Sequence, residues 1–481
     1  MKFSFVSPSP ASEAKGKIEA PWPPLGVLYL AGMLKNAGTE VSVLDQAAKG
    51  FSSEQVLKWV KKENPDILGF SVLVTSYYQA LSLAQRAKEE NPDLLIVLGN
   101  YHATFNAERI LKKYPFVDVI VRGEGEHVVP ELANCVKKNK NFKETAGLTF
   151  RNHGHIVSTP DAPLIGNIDS LPIPDRDLTG AEYASEIFGI KVATRKFTSI
   201  VSSRGCPFRC TFCGCRKFAR GVWRPRSVEN IMEELQLLYS KGFRQFLFVD
   251  DNFTLNLRRV QKLCREIRKE RMDIEWFCDS RVDNCRYEVF RDMVKAGCSL
   301  LYFGVESGNQ RILNYYKKGT TPEQTRKAVG WARKAGVDVI VGSFIVGAPD
   351  ETLKEVETTL RFAYELPIDV PQLNILSVFP GTDSWNDLVE KGFIDEEKYW
   401  EQGVYACQVS PHAVPFEQIQ KMTYDYFKTF YLRPGKLSEE IFRTFKSRYR
   451  MKAFLGNLLR IDEILQTVRR ETSLEPIKAG S

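Results

Sequence analysis

A chain of 481 residues, 43% hydrophobic and 26% charged, is too long for one ordinary core and has a soluble globular composition, so two or three domains are expected. The formal charge of +8 is unevenly placed: residues 433–481 hold eleven Lys and Arg against six Asp and Glu, a local balance of +5. The N-terminus MKFSFVSPSP lacks the apolar run of a secretory signal, and apolar stretches such as 337–348 are too short to span a bilayer, which argues for a cytoplasmic protein.

In chain order, residues 1–140 alternate short apolar runs with amphipathic stretches. Strands are predicted at 3–7, 41–44, 67–73, 95–99 and 117–122, and helices at 25–36, 53–63, 77–90, 106–113 and 126–138. Repeated β–α units of this length predict an α/β domain with a doubly wound parallel sheet, which binds ligands at the carboxyl ends of its strands. Residues 141–195 break the rhythm. Pro160, Pro163, Pro172 and Pro174 mark them as an extended linker.

A second β–α series occupies residues 196–397. Its strands are predicted at 198–202, 246–250, 274–279, 300–306, 339–346 and 372–378, with helices at 228–241, 257–271, 287–296, 322–335 and 353–365. Six units suggest a partial (β/α)6 barrel, whose functional residues stand where strands end. Residues 398–481 read as a helical, basic C-terminal region. Within it, 453–468 carries one apolar face that docks on the barrel by default and alternatively lies on a membrane surface.

The chemistry concentrates in SSRGCPFRCTFCGC, where Cys206, Cys210 and Cys213 form a C-x3-C-x2-C loop directly after a strand. Soft thiolates suit an iron–sulfur cluster, and three of them leave the fourth iron open for a substrate. The competing reading is a structural zinc site closed by Cys215. None of the five histidines stands in zinc-protease spacing.

With Phe212 before its last cysteine, the loop resembles the signature of the radical S-adenosylmethionine (SAM) enzymes, C-x3-C-x-aromatic-C. The resemblance implies a [4Fe–4S] cluster on Cys206, Cys210 and Cys213, SAM chelated by the open iron, and an external electron donor such as ferredoxin or flavodoxin. It also places Asp250 and Asp251 near the amino group of SAM. Ser280, Arg281 and Glu306 stand at strand ends that often contact its ribose or carboxylate. Rim hydrogen bonding is the plainer account of each.

The N-terminal half lacks a GxGxxG after its first strand, which argues against a dinucleotide. Pro23-Pro24-Leu25-Gly26, GNYHAT at 99–104 and the Gly123-Glu124-Gly125-Glu126 run resemble the Rossmann-like cobalamin-binding domain of one large radical SAM subclass. The likeness implies that Gly99, His102, Thr104, Gly123 and Glu124 belong to cofactor loops. Ser71 and Thr75 would hydrogen-bond the nucleotide tail, and Val72, Leu73 or Tyr77 would cover the cobalt's lower face. No D-x-H-x-x-G is present, so no histidine ligand to the cobalt is expected. Asn100 stands where the pattern favours a second glycine.

Two cofactors of this kind imply C-methylation of an unactivated carbon in a small-molecule, lipid or peptide substrate. The alternatives are an oxidative cyclisation or rearrangement of a tetrapyrrole-like compound, and a cobalamin- or redox-sensing module. No nucleic-acid partner is expected. The basic C-terminus would allow peripheral membrane contact.

Overall fold

The structure, a computed structural model, describes residues 1–10, 22–183, 186–187, 190–402, 412–432 and 435–458. Part of the predicted apolar stretch at 453–468 therefore lies outside the described residues. Seven strands build the first sheet: β1 (Lys2–Ser7), β2 (Glu40–Asp45), β3 (Ile67–Ser71), β4 (Leu95–Gly99), β5 (Val119–Val121), β6 (Leu148–Asn152) and β7 (His155–Ser158). Their order is β2-β1-β3-β4-β5-β6-β7, parallel through β5 and antiparallel beyond it. The chain steps from β1 outward to β2 and then back to β3 on the other side. This leaves a crevice at the carboxyl ends of β1 and β3.

The helices Leu25–Asn36 and Val128–Lys137 cover one face through Leu28, Leu34, Val129 and Leu132, packed on Phe3, Phe5 and Val97. Ser53–Glu63 and Tyr77–Glu90 cover the other. Gly69 has no Cβ because one would stand 2.8 Å from the Phe3 ring and 2.9 Å from that of Phe5. The two rings lie stacked over it.

The predicted linker is more structured than its prolines suggest. Residues 148–158 form the β6–β7 hairpin and extend the first sheet, because alternate residues Leu148 and Phe150 are apolar enough to join the core. Further on, Arg176 reaches Glu234 at 2.5 Å in the barrel's first helix, Val228–Ser240, and donates to the Ser199 carbonyl at 2.7 Å. Glu234 is fully buried and is also held by Arg226, so the linker is pinned by a hydrogen-bonded ion triad.

The second sheet is all parallel and runs in chain order: β8 (Phe197–Ile200), β9 (Gln245–Phe248), β10 (Glu275–Arg281), β11 (Cys298–Glu306), β12 (Val339–Val346) and β13 (Val370–Ile375). Its six strands curve into the expected partial barrel. The helices start on local signals; Thr321, for example, caps Pro322–Ala335 in a reciprocal box with Gln324. Helices absent from the predicted set, such as Gln310–Tyr315 and Asp383–Glu390, are too short to show a clear period.

At the amino-terminal end of the barrel, Tyr449 of helix Arg448–Leu458 enters a cluster with Val192, Phe197, Phe277, Leu300 and Val341. Its hydroxyl donates to the Val192 carbonyl at 3.1 Å. Arg443 and Arg450 close around buried Asp369 on the same side. Helices Lys436–Lys446 and Arg448–Leu458 of the basic C-terminal region thus dock on the barrel, while Phe442, Phe445 and Phe454 face outward. Among the described residues no helix is long and apolar enough to cross a membrane.

Tyr449→Ala is expected to remove about 3–4 kcal/mol of stability, the cost of an emptied aromatic site. The shift of the urea midpoint at unchanged slope checks this. A loss below about 1 kcal/mol would mean that the plug is not part of the folded core.

Candidate active site

The cysteine loop is built on the carboxyl end of β9. Asp250, buried, accepts from the Ser202 amide at 2.7 Å and from the hydroxyls of Ser202 and Ser203 at 2.6 and 2.5 Å. Asp251 accepts from the Gly205 amide at 3.0 Å. Gly205 has φ +84°, and a Cβ there would collide with the Val222 carbonyl oxygen, so the turn into the cysteines requires glycine. Residues Ser203–Arg204 pair with Arg224–Pro225 and close the loop into a hairpin.

Within the loop, the Thr211 amide donates to the Tyr316 carbonyl and the Phe212 ring packs against Tyr316 at 5.3 Å. The aromatic of the signature is therefore a wedge that fixes the loop. Cys206 and Cys210 are half-buried, and Cys213 keeps an accessible surface although protein packs around its sulfur. Burial pushes the Cys206 thiol up and that of Cys213 up to about 11, so metal loading must displace protons from them. Cys215 is buried against Asp251 and Tyr101, and burial with the Asp251 charge holds its thiol far above the usual range. Among the described residues no three Cys, His, Asp or Glu side chains converge on one point, as a single ion demands. A cubane instead takes each thiolate at a different iron, and the donor set of three separate thiols fits it.

Two predicted strand-end residues do meet this loop. Arg281 lies over the Phe208 ring at 3.6 Å and points an N–H at the Cys210 sulfur at 3.7 Å. It is oriented by Asp283 at 2.8 and 3.0 Å and by the Lys318 carbonyl at 2.6 Å. Glu306 sits at φ +67°, beside the register slip between Gly304 and Glu306, and pairs with buried Lys318 at 2.7 Å. A buried carboxylate in left-handed backbone is a strained arrangement of the kind that collects at functional sites. Ser280, by contrast, is buried and bonded to the Thr254 hydroxyl at 2.7 Å, facing away from the loop. Asp250 likewise has both oxygens committed to the loop's base.

Opposite the cysteine hairpin, the carboxyl edge of the first sheet opens into a cavity of about 280 Å³. Gly69, Gly99, Gly123 and Gly125 line it together with Phe3, Phe5 and Leu30. Cβ atoms added at Gly26 or Gly123 would meet no neighbour and would project into open space. An apolar slot walled by glycines fits a flat aromatic tail. Ser203, Arg204, Gly205 and Asp251 of the second domain line the same cavity.

The two sides are clamped by charge. Arg224 forks onto Glu124 at 2.6 and 2.9 Å, and Arg204 bridges Glu124 at 3.2 Å and Glu126 at 2.5 Å. Burial works against the Glu124 charge, but the Arg224 hydrogen bonds and the Arg204 field outweigh it and hold the carboxyl below its usual range.

Of the predicted cofactor-loop residues, Ser71, Gly99, Gly123 and Glu124 line the cavity, and Thr104 accepts from the Gly123 amide at 3.1 Å. Asn100 takes φ +79°, which explains the family's glycine there, and donates to Ser71 at 3.0 Å. His102 turns away from the cavity. It is buried beside Tyr77 at 4.4 Å and Trp400 at 5.7 Å, neither ring nitrogen has a hydrogen-bond partner among the described residues, and burial lowers it to about 3. Thr75 is exposed and does not line the cavity. Of the three side chains expected beneath the cobalt, Val72 and Tyr77 are in the core and Leu73 is exposed. Arg204, Arg224 and Lys318 were missed, because a lone basic residue gives no sign of a partner far away in sequence.

The chain matches the family model of the Radical SAM superfamily over residues 200–363 and that of the B12 binding domain over residues 14–133. A Pyrococcus horikoshii protein named "Uncharacterized methyltransferase PH0819" is 35% identical over 462 residues, covering 96% of this chain and 98% of the relative. The anaerobic magnesium-protoporphyrin IX monomethyl ester cyclase of Rubrivivax gelatinosus is 32% identical, covering 83% of this chain and 72% of the cyclase. Among solved structures, the cobalamin-dependent S-adenosylmethionine radical enzyme OxsB, with aqua-cobalamin and S-adenosylmethionine bound, shares the fold at a TM-score of 0.71 and 19% identity, covering 100% of this chain and 77% of that one. The protein is thus a member of the radical SAM superfamily with a B12 binding domain, a cobalamin-dependent radical SAM enzyme whose family membership implies a [4Fe–4S] cluster, S-adenosylmethionine and cobalamin.

Proposed function

We propose that this enzyme methylates an unactivated carbon of a small-molecule, lipid or peptide substrate. The observation that carries the reading is the shared cavity: Gly99 and Gly123 of the first sheet and Gly205 and Asp251 beside the cysteines line one space. When bound, the cluster with SAM supplies a 5′-deoxyadenosyl radical, and cobalamin supplies a methyl group that a carbon radical accepts. The methyltransferase PH0819 supports the choice of methyl transfer.

In this reading the chain's own residues bind, orient and exclude water. Cys206, Cys210 and Cys213 hold the cluster, and Arg281 neutralises part of its charge from the Cys210 side. Asp250 keeps the loop in place through Ser202 and Ser203. Asp251 faces the shared cavity and is available to the amino group of SAM, while Glu306 and Lys318 stand at the barrel mouth for its remaining polar groups. The glycine-walled slot takes the nucleotide tail, with Ser71 and Asn100 at its edge. Leu73, the one of the three expected side chains left exposed after β3, would be available to cover the lower side of the corrin, where no histidine is expected.

The setting we propose is cytoplasmic, with electrons from a ferredoxin or flavodoxin. Exposed Phe442, Phe445 and Phe454 near Lys446 and Lys452 support a peripheral membrane contact.

The direct test is an anaerobic assay with cell extract and methyl-labelled SAM, read by mass spectrometry. Labelled methyl in a product together with 5′-deoxyadenosine is expected. Deoxyadenosine with an altered but unlabelled product would replace methylation by cyclisation or rearrangement. For the ligand set, alanine at Cys206, Cys210 or Cys213 is expected to abolish reconstituted iron and acid-labile sulfide, whereas Cys215→Ala retains both. Loss of the cluster in the Cys215 variant would show that our ligand set is wrong. Finally, Gly26→Val fills the slot and is expected to weaken hydroxocobalamin binding at least about tenfold, roughly 1.4 kcal/mol. Absorbance titration reads this, and the melting temperature should hold because valine suits a helix better than glycine.

A further inference from the structure

The barrel interior carries a group of polar side chains that no cofactor contact explains. Along β10, Trp276 and Cys278 pack outward into the helix-facing core, whereas Phe277 packs inward with Leu300 and Tyr449. Strand alternation therefore sends Asp279 into the lumen, one step above Phe277 and one step below Arg281. The same rule places Tyr302 of β11, Ser343 of β12, and Gln372 and Asn374 of β13 on the inner face. Their outward neighbours Phe303, Phe344, Leu373 and Ile375 pack among helices.

These side chains form a belt above the apolar floor that Tyr449 plugs. The Tyr302 hydroxyl donates to Gln372, and Asn374 donates to the Ser343 hydroxyl at 3.3 Å. Tyr302 lies opposite Asp279 in the strand register. Of these five side chains Asp279 is the one left over, and it is the only one that carries a charge; Ser199 of β8, inward by the same alternation, keeps an unbonded hydroxyl among the described residues. Asp279 is solvent-accessible, yet walled in by the barrel, and it has no hydrogen bond or ion pair among the described residues.

We propose that this belt is the substrate subsite and that Asp279 selects a substrate group bearing a cationic nitrogen, such as a protonated amine. The inference rests on the methylation reading for what happens to that substrate, but its binding chemistry stands on the lumen alone. An enclosed carboxylate without a partner is a costly group that a matching cation relieves. Asp250 and Asp251 at the end of β9 add to the negative potential at this depth, so a cation gains from three carboxylates and a neutral donor from one hydrogen bond. A wholly apolar substrate would leave the Asp279 carboxylate without a partner. Burial, then the fields of Asp250 and Asp251, push the Asp279 carboxyl up to about 7. Other titratable groups around it are Tyr302 on β11 and Cys278 on its own strand.

The test uses holoenzyme with its cluster reconstituted and SAM bound, and two probes of one shape, benzylamine and benzyl alcohol. Calorimetric or NMR titration is expected to give benzylamine at least about tenfold tighter than the alcohol near pH 8, about 1.4 kcal/mol. Asp279→Asn, which loses no internal bond, should erase that preference at unchanged iron content, and Asp279→Glu should keep it. In the wild type, amine affinity should fall between about pH 8 and pH 6 as the carboxyl gains its proton, with the alcohol unaffected. Equal binding of the two probes, or an Asn variant that keeps the preference, overturns the proposal. So does weaker binding of labelled SAM by the Asn variant, which would assign Asp279 to the SAM site. None of these readouts involves methyl transfer, so failure here and failure of the methylation reading are told apart.

Discussion

Two arginines in the cysteine hairpin and two glutamates at the end of the first sheet hold the molecule's two halves in working register. Glu124 and Glu126 lie in the loop after β5, and Arg204 and Arg224 flank the cysteines. All four side chains are largely buried, so each charge depends on the others for its solvation. The forked geometry of Arg224 on Glu124 fixes orientation as well as distance. Because the same loop contains Gly123 and the same hairpin contains Gly205, the clamp sets the width of the cavity that the two halves line together.

Around that clamp, roles divide by depth. The outer layer of each sheet is apolar and packs on helices, giving the rigidity against which the loops are set. The strand ends are polar and mostly committed to one another: Asp250 to the serines, Arg281 to Asp283 and Lys318, Glu306 to Lys318. What remains uncommitted is therefore informative. Among the described residues Asp279 has no hydrogen bond or ion pair, and Asp251, although bonded to the Gly205 amide, still lines the cavity.

Most of the fold was legible in the sequence because it is written in short periods. The β–α alternation gave both parallel sheets, and helices such as Leu25–Asn36, Pro322–Ala335 and Leu353–Glu365 end where their patterns end. The β6–β7 hairpin was hidden by the proline-rich segment around it. The cysteine loop was legible for a different reason: three thiols must come from one tight turn, so their spacing stays local. The cofactor loop was read in part. Gly99 and Gly123 line the cavity and Thr104 braces Gly123, while His102 sits in an aromatic core that draws Tyr77 and Trp400 from distant segments.

By itself the sequence determined the architecture, the cysteine triad and the family, since each rests on spacing within one segment. Tertiary structure alone decided which side chains face the cavity and the lumen. Asp250 and Asp251 are adjacent and chemically identical, yet one is spent on serine hydroxyls and the other lines the cavity. Asp279 and Ser280 are neighbours as well, and strand alternation turns one inward and buries the other. Such assignments depend on the direction of a side chain and on partners brought from elsewhere in the chain, which folding supplies and local pattern does not.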